Sequence, residues 1–224
     1  MRILFIGNSF TYYNDMPTAI FKKIAEQNGR EVTVDSVTVG GWSLLKYYEG
    51  GDEHSERVRK ALKEKPDIVI LQEQSHSPIS APEDFYRATR GLVEMAREVG
   101  ATPYLYATWG YKAGHKSLPE YGTSTADMEM KLRKSYMKIG EELGACVCHA
   151  GAAMTYAYGE SDLELYGADN YHPALCGSAV AALTIYATVF NVDPQSLSLD
   201  LDGISDSDAE EIKRVAHKAI FERD

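Results

Sequence analysis

Four short segments of this 224-residue chain carry the side chains of nucleophilic catalysis: Gly7-Asn8-Ser9-Phe10-Thr11, Gly40-Gly41-Trp42-Ser43, Gln72-Glu73-Gln74-Ser75-His76 and Asp169-Asn170-Tyr171-His172-Pro173. Acyl transfer to a serine needs a nucleophile, a base for its proton, a carboxylate to orient the base, and donors for the oxyanion. Asp169 and His172 stand three apart in a turn that Pro173 ends. That spacing lets the carboxylate reach the imidazole Nδ1–H while Nε2 faces outward toward Ser9. Ser9 can present both its hydroxyl and its backbone N–H at the start of the next helix. Each residue also has a plainer use, Ser9 as a helix cap, Asp169 as an Asx-turn and His172 as a structural helix-start residue. The three taken together favour chemistry.

These segments need a scaffold, and the hydrophobic pattern supplies one. Five short apolar runs read as strands: Ile3–Ile6, Val32–Val39, Ile68–Leu71, Tyr104–Thr108 and Ala145–His149. Between them lie stretches with helical spacing: Ile20 with Ile24, Val58 with Leu62, Phe85 with Ala88, Leu92 and Met95, and Met128 with Leu132, Tyr136, Ile139 and Leu143. Asn28-Gly29, Gly100 and Gly144 read as C-caps, and Pro17 and Pro82 as helix starts. An apolar helix is expected from about Ala174 to Phe190, and a last one from Ser207, capped with Glu210, toward Arg223.

Such alternation predicts an α/β fold, a parallel sheet covered by helices on both faces in three layers. No linker or repeat divides residues 1–224, so one domain is expected. In an open parallel sheet ligands bind beyond the carboxyl ends of the strands, which is where the four segments fall. The aperiodic stretch from Gly110 to Thr125 reads as a substrate-facing loop.

At these residues the chain resembles the SGNH (GDSL-like) hydrolases, whose first block is Gly-Asp-Ser and whose last is Asp-x-x-His. Here the blocks read Gly7-Asn8-Ser9 and Asp169-Asn170-Tyr171-His172, and the resemblance extends from Ile3 to about Phe190. It implies a flavodoxin-like αβα sandwich on a five-stranded parallel sheet, with Ser9 as nucleophile, His172 as base and Asp169 orienting it. It further implies an oxyanion hole built from the serine N–H, a glycine N–H and a side-chain amide. For the glycine, Gly41 is preferred over Gly40, because Gly41-Trp42-Ser43 looks closer to the family's Gly-Asp-Thr. Two positions depart from the pattern. Asn8 replaces the usual aspartate, and the family's Gly-x-Asn-Asp is absent from the third block. There Gln74 is the expected amide donor, with Gln72 and His76 as alternatives.

Composition narrows the partners. Lys and Arg total 23 against 33 Asp and Glu, a net charge of −10 that disfavours nucleic acid and anionic membrane surfaces. The first apolar run is too short for a signal-peptide core or a membrane span, and three cysteines cannot all pair, so free thiols and a cytoplasmic location are expected. Cys146-Val147-Cys148-His149 lacks the second ligand pair of a zinc finger, and strand alternation turns His149 away from the thiols. No metal and no cofactor are expected. Fifteen tyrosines are many for this length, and Trp42, Trp109, Tyr111 and Tyr121 fall near the active edge, which points to a carbohydrate surface. The expectation is a serine esterase releasing a small acyl group, such as acetyl, from an alcohol such as a sugar hydroxyl. An inactive carbohydrate-binding relative and a thioesterase or lysophospholipase are the alternatives.

Overall fold

Alternation within the apolar runs decides which way each strand faces. In the computed structural model, which describes residues 1–222, Ile3 and Phe5 of β1 (Arg2–Gly7) enter one hydrophobic core while Leu4 and Ile6 enter another. A strand buried on both faces belongs inside a sheet with helices on either side. The sheet is completed by β2 (Thr33–Thr38), β3 (Ile68–Leu71), β4 (Thr102–Tyr106) and β5 (Cys146–Cys148). All neighbours pair in parallel, in the order β2-β1-β3-β4-β5.

The helices are α1 (Ser9–Tyr12), α2 (Lys22–Gln27), α3 (Leu44–Glu49), α4 (Glu53–Lys63), α5 (Ser77–Ser80), α6 (Pro82–Glu98), α7 (Ser117–Glu120), α8 (Thr125–Leu143), α9 (Ala150–Glu160), α10 (Leu175–Phe190) and α11 (Asp206–Phe221). The core containing Ile3 and Phe5 also takes Ile24 of α2 and the buried faces of α9, α10 and α11. The opposite core takes Leu44, Val58, Leu62, Phe85 and Leu92 from α3, α4 and α6. The helix α8 serves both, with Met128 and Leu132 in the first and Tyr136 and Ile139 in the second. This is the three-layer sandwich with the flavodoxin-like strand order.

Several boundaries differ from the sequence reading. Strand β4 begins two residues earlier than expected, taking in Pro103, because β5 pairs only from Tyr104 onward and a missing N–H costs no ladder bond there. The last helix is capped by Ser205, whose Oγ accepts from the Asp208 N–H over 3.1 Å, rather than by Ser207 with Glu210. The repeated Ser-Asp pair offers two registers, and the earlier one wins. The expected end of this helix at Arg223 lies outside the described residues. The loop from Gly110 stops at Ser124, which caps α8, and contains the short α7. Helix α9 had no sequence signature: its small residues Ala150, Gly151, Ala152 and Ala153 are all buried, so it shows no polar stripe.

Candidate active site

Strand β1 ends where the chain must turn tightly against its neighbour. A Cβ on Gly7 would lie 2.5 Å from both Gln72 Oε1 and Thr11 Oγ1, so only glycine fits. Asn8 then caps α1, its Oδ1 accepting from the Phe10 N–H over 3.1 Å. Ser9 is therefore the first residue of a helical turn at the point where β1 and β3 diverge in connectivity, the switch point at which open α/β sheets bind ligands.

The other half of the site comes from the loop before α10. The two oxygens of Asp169 divide the work. Oδ1 accepts from the backbone N–H groups of Tyr171 and His172 over 3.0 and 2.9 Å, closing an Asx-turn, while Oδ2 meets His172 Nδ1 over 2.7 Å. Imidazole Nε2 stands 2.8 Å from Ser9 Oγ. With the ring proton on Nδ1, the serine hydroxyl donates to Nε2. Partial burial would raise the Asp169 carboxyl, but the bonds from His172 and Tyr171 outweigh it and hold the group below its ordinary range. The carboxylate thus stays ionised beside the base. The imidazole is packed by the flat face of Tyr13, with centroids 4.0 Å apart, and by Tyr171 at 4.2 Å edge-on.

Comparison with solved structures assigns the chain to a family. A chain described as "a putative SGNH hydrolase from Slackia heliotrinireducens" is 35% identical, covering 84% of this chain and 98% of that one, with a TM-score of 0.72. The chain belongs to the SGNH hydrolase family. A DUF4886 family protein from Bacteroides uniformis shares the fold at 20% identity, covering 98% of this chain and 94% of that one, with a TM-score of 0.82. An acetyl xylan esterase shares it at 12% identity, covering 84% and 100%, with a TM-score of 0.63. No protein-family model matches the sequence, and no curated protein does. As an SGNH hydrolase the protein acts on ester bonds.

In this SGNH hydrolase the departure at position 8 has a physical counterpart. Asn8 Nδ2 donates to the Trp42 carbonyl over 2.9 Å, a bond that a carboxylate has no proton to make. The third block divides between two loops. Gln72 is 1% exposed, and its Oε1 accepts from the Asn8 N–H and the Thr11 hydroxyl, each over 2.8 Å. Its Nε2 donates to the Glu73 carbonyl. Gln74 is half-buried; its Oε1 accepts from the N–H groups of His76 and Ser77 at the start of α5, and its Nε2 lies 3.2 Å from Ser75 Oγ. Gly41 is exposed, in the left-handed region at φ +70.

The aromatic residues separate. Trp42 is half-buried, and Tyr121 is exposed and stacked on His76 at 3.7 Å. Trp109 and Tyr111 do not line a substrate surface as expected. Trp109 is fully buried, stacked on Phe10 at 4.6 Å, with its Nε1 donating to the Tyr171 carbonyl. Tyr111 is 3% exposed, with its hydroxyl 2.7 Å from Ser75 Oγ. Both satisfy their polar tips inside the protein, on the loops that carry Gln74 and His172.

Two features escaped the sequence reading. Tyr12, 39% exposed, stands beside the Gly40 loop, its hydroxyl 3.1 Å from where a Gly40 Cβ would be. Glu73 is 1% exposed, with backbone N–H groups as partners, and burial pushes its carboxyl up to about 7. The visible signal was a charged residue two steps past a wholly apolar strand.

Proposed function

We propose that this SGNH hydrolase is a serine esterase that removes a small acyl group, such as acetyl, from a carbohydrate hydroxyl through an acyl-enzyme. The observation that carries the reading is the continuous contact from Ser9 Oγ to His172 Nε2 and from Nδ1 to Asp169. His172 takes the Ser9 proton as Oγ attacks the ester carbonyl, and the tetrahedral oxyanion is held by the N–H groups of Ser9 and Gly41 and by the Gln74 amide. Collapse expels the sugar alkoxide, to which His172 returns the proton. Water, deprotonated by the same imidazole, then releases the acid.

Support for a sugar comes from the exposed rings of Tyr12 and Tyr121 and the half-buried Trp42, since aromatic faces suit the C–H surfaces of pyranose rings. A structural neighbour named as an acetyl xylan esterase makes acetylated carbohydrate the first class to try.

Fluorophosphonate labelling tests the nucleophile, and product release from acetylated sugars against aryl esters of increasing acyl length tests the substrate. Labelling confined to Ser9, loss of both labelling and hydrolysis in Ser9→Ala, and preference for acetyl esters are the expected results. A Ser9→Ala enzyme with undiminished turnover removes the nucleophile assignment, and faster turnover of long acyl chains removes the deacetylase assignment.

A further inference from the structure

The loops proposed to supply the glycine and glutamine oxyanion donors have no hydrogen bonds of a regular element in common, yet their relative position has to be fixed to within fractions of an ångström for the donors to converge. One side chain spans them. Glu73 lies between Gln72 and Gln74 just past the end of β3. Its Oε1 and Oε2 accept from the Leu44 N–H over 3.1 and 3.2 Å, at the start of α3 and directly after Gly41-Trp42-Ser43. Its Oε1 also accepts from the Gln74 N–H over 2.5 Å. On its backbone side, the Glu73 N–H donates to Tyr136 Oη over 3.0 Å, which fixes the base of the loop to α8.

We propose that Glu73 is a positioning residue for the oxyanion site, its one buried carboxylate holding the Gly41 loop and the Gln74 loop in register. This deepens the serine-esterase reading and rests on it. A carboxylate suits the task because both partners are donors: its charge strengthens the bonds that Oε1 accepts from both, and Oε2 adds a second acceptor toward Leu44, where an amide would place an N–H group against the Leu44 N–H.

Burial at this depth has a cost that a purely structural tie would avoid. Desolvation raises the carboxyl to about 7 against an ordinary 4.5, only partly offset by the two N–H bonds, with Asp84 on α6 adding like charge. The phenol of Tyr136, pushed well up by burial, stays protonated throughout the working range. Protonation of Glu73 removes the charge that draws Leu44 and Gln74 together, so the register of the two loops weakens as pH falls through neutrality.

Wild type, Glu73→Gln and Glu73→Ala, each counted by fluorophosphonate titration of Ser9, are to be compared on a short aryl ester. In Glu73→Gln, kcat per labelled site is expected to fall at least about 10-fold with KM within about 3-fold, because misplaced oxyanion donors are felt in the transition state more than in substrate binding. Glu73→Ala falls at least as far. A loss that served folding alone would lower the labelled fraction and leave kcat per site intact.

The second measurement needs no variant. A single essential base gives log kcat/KM a slope of one on the acid side. A second essential carboxylate steepens the wild-type slope beyond one below pH 6, under conditions where circular dichroism shows the fold intact. A Glu73→Gln enzyme with normal kcat per site, or a wild-type slope of one, overturns the proposal while leaving the serine esterase standing. A wild type that Ser9-directed probes do not label overturns both.

Discussion

The phenol ring of Tyr13 lies flat on the imidazole of His172, with centroids 4.0 Å apart and planes 3° from parallel. The ring is on the segment that follows Ser9, so one turn of chain delivers both the proposed nucleophile and a platform for its proposed base. A tyrosine face attracts a cation by about 0.5–2 kcal/mol, and in the proposed mechanism the imidazole becomes a cation only as Ser9 attacks. Tyr13→Leu is expected to lower kcat/KM by about 2- to 30-fold, the equivalent of that energy. Tyr13→Phe, which keeps the face, is expected to stay within about 2-fold. Steady-state kinetics on the three enzymes check this, and equal losses in Leu and Phe would assign the effect to the hydroxyl instead.

The next residue holds the same loop through its side chain, from a strained backbone. Asn14 sits at φ 55, ψ 27, and Asp15 follows at φ 50, two successive non-glycine residues in the left-handed region. The Asn14 side-chain Nδ2 donates to the Pro173 carbonyl over 3.1 Å and to Ser178 Oγ over 2.8 Å, tying the segment after Ser9 to the residue after His172. Asn14→Ala loses the bonds and keeps the strain, so it is expected to cost about 1–3 kcal/mol of stability. Asn14→Gly relieves the strain and should cost less. Urea unfolding orders the pair, and a glycine variant less stable than the alanine one contradicts the account.

These contacts mark where sequence reading stops. The approach of Ser9 to Asp169 and His172, the proposed triad, was legible because Ser9 follows a strongly patterned strand and the Asp169–His172 pair stands in the loop before a strongly apolar helix. Trp109 and Tyr111 were read as substrate surface because an amphipathic ring looks the same whether its polar tip meets a ligand or Tyr171 and Ser75. Helix α9 was invisible for a related reason: burial on all sides erases the polar stripe by which a helix announces itself. Glu73 pairs with an N–H 29 positions away, and no local pattern records a bond between two loops.

Stability carries a separate signature of Glu73. Its folded-state value lies above the ordinary one, so between pH 4.5 and about 7 the native state binds more protons than the unfolded chain. Native stability therefore falls as pH rises through that window, by on the order of a few kcal/mol in full, and the penalty is complete above it. Glu73→Gln has no such dependence. The melting temperature of the variant minus that of wild type is expected to become more positive by several degrees between pH 5 and pH 8. Thermal scans at the two pH values measure it, and a difference that is constant or moves the other way shows that the carboxyl is not raised in the fold.

The last prediction separates the two glutamines of the third block. Gln74 is the proposed oxyanion donor, and only one of its two amide N–H groups is needed for Ser75 Oγ. Gln74→Ala is expected to lower kcat and kcat/KM together by up to ~10²–10³-fold, with KM little changed. Because Gln74 Oε1 also caps α5 through His76 and Ser77, a modest loss of stability, about 1 kcal/mol, should accompany it. Gln72 differs in kind, since its buried carbonyl oxygen accepts from Asn8 and Thr11 beneath the serine turn. Removing it leaves the Asn8 N–H without its acceptor, so Gln72→Ala is expected to lose about 1–3 kcal/mol of stability along with activity. Kinetics alone do not tell the two apart; kinetics with unfolding free energies do. Should Gln74→Ala keep near-normal kcat while Gln72→Ala or His76→Ala loses it with stability intact, the donor lies at that other position and the third block is misaligned.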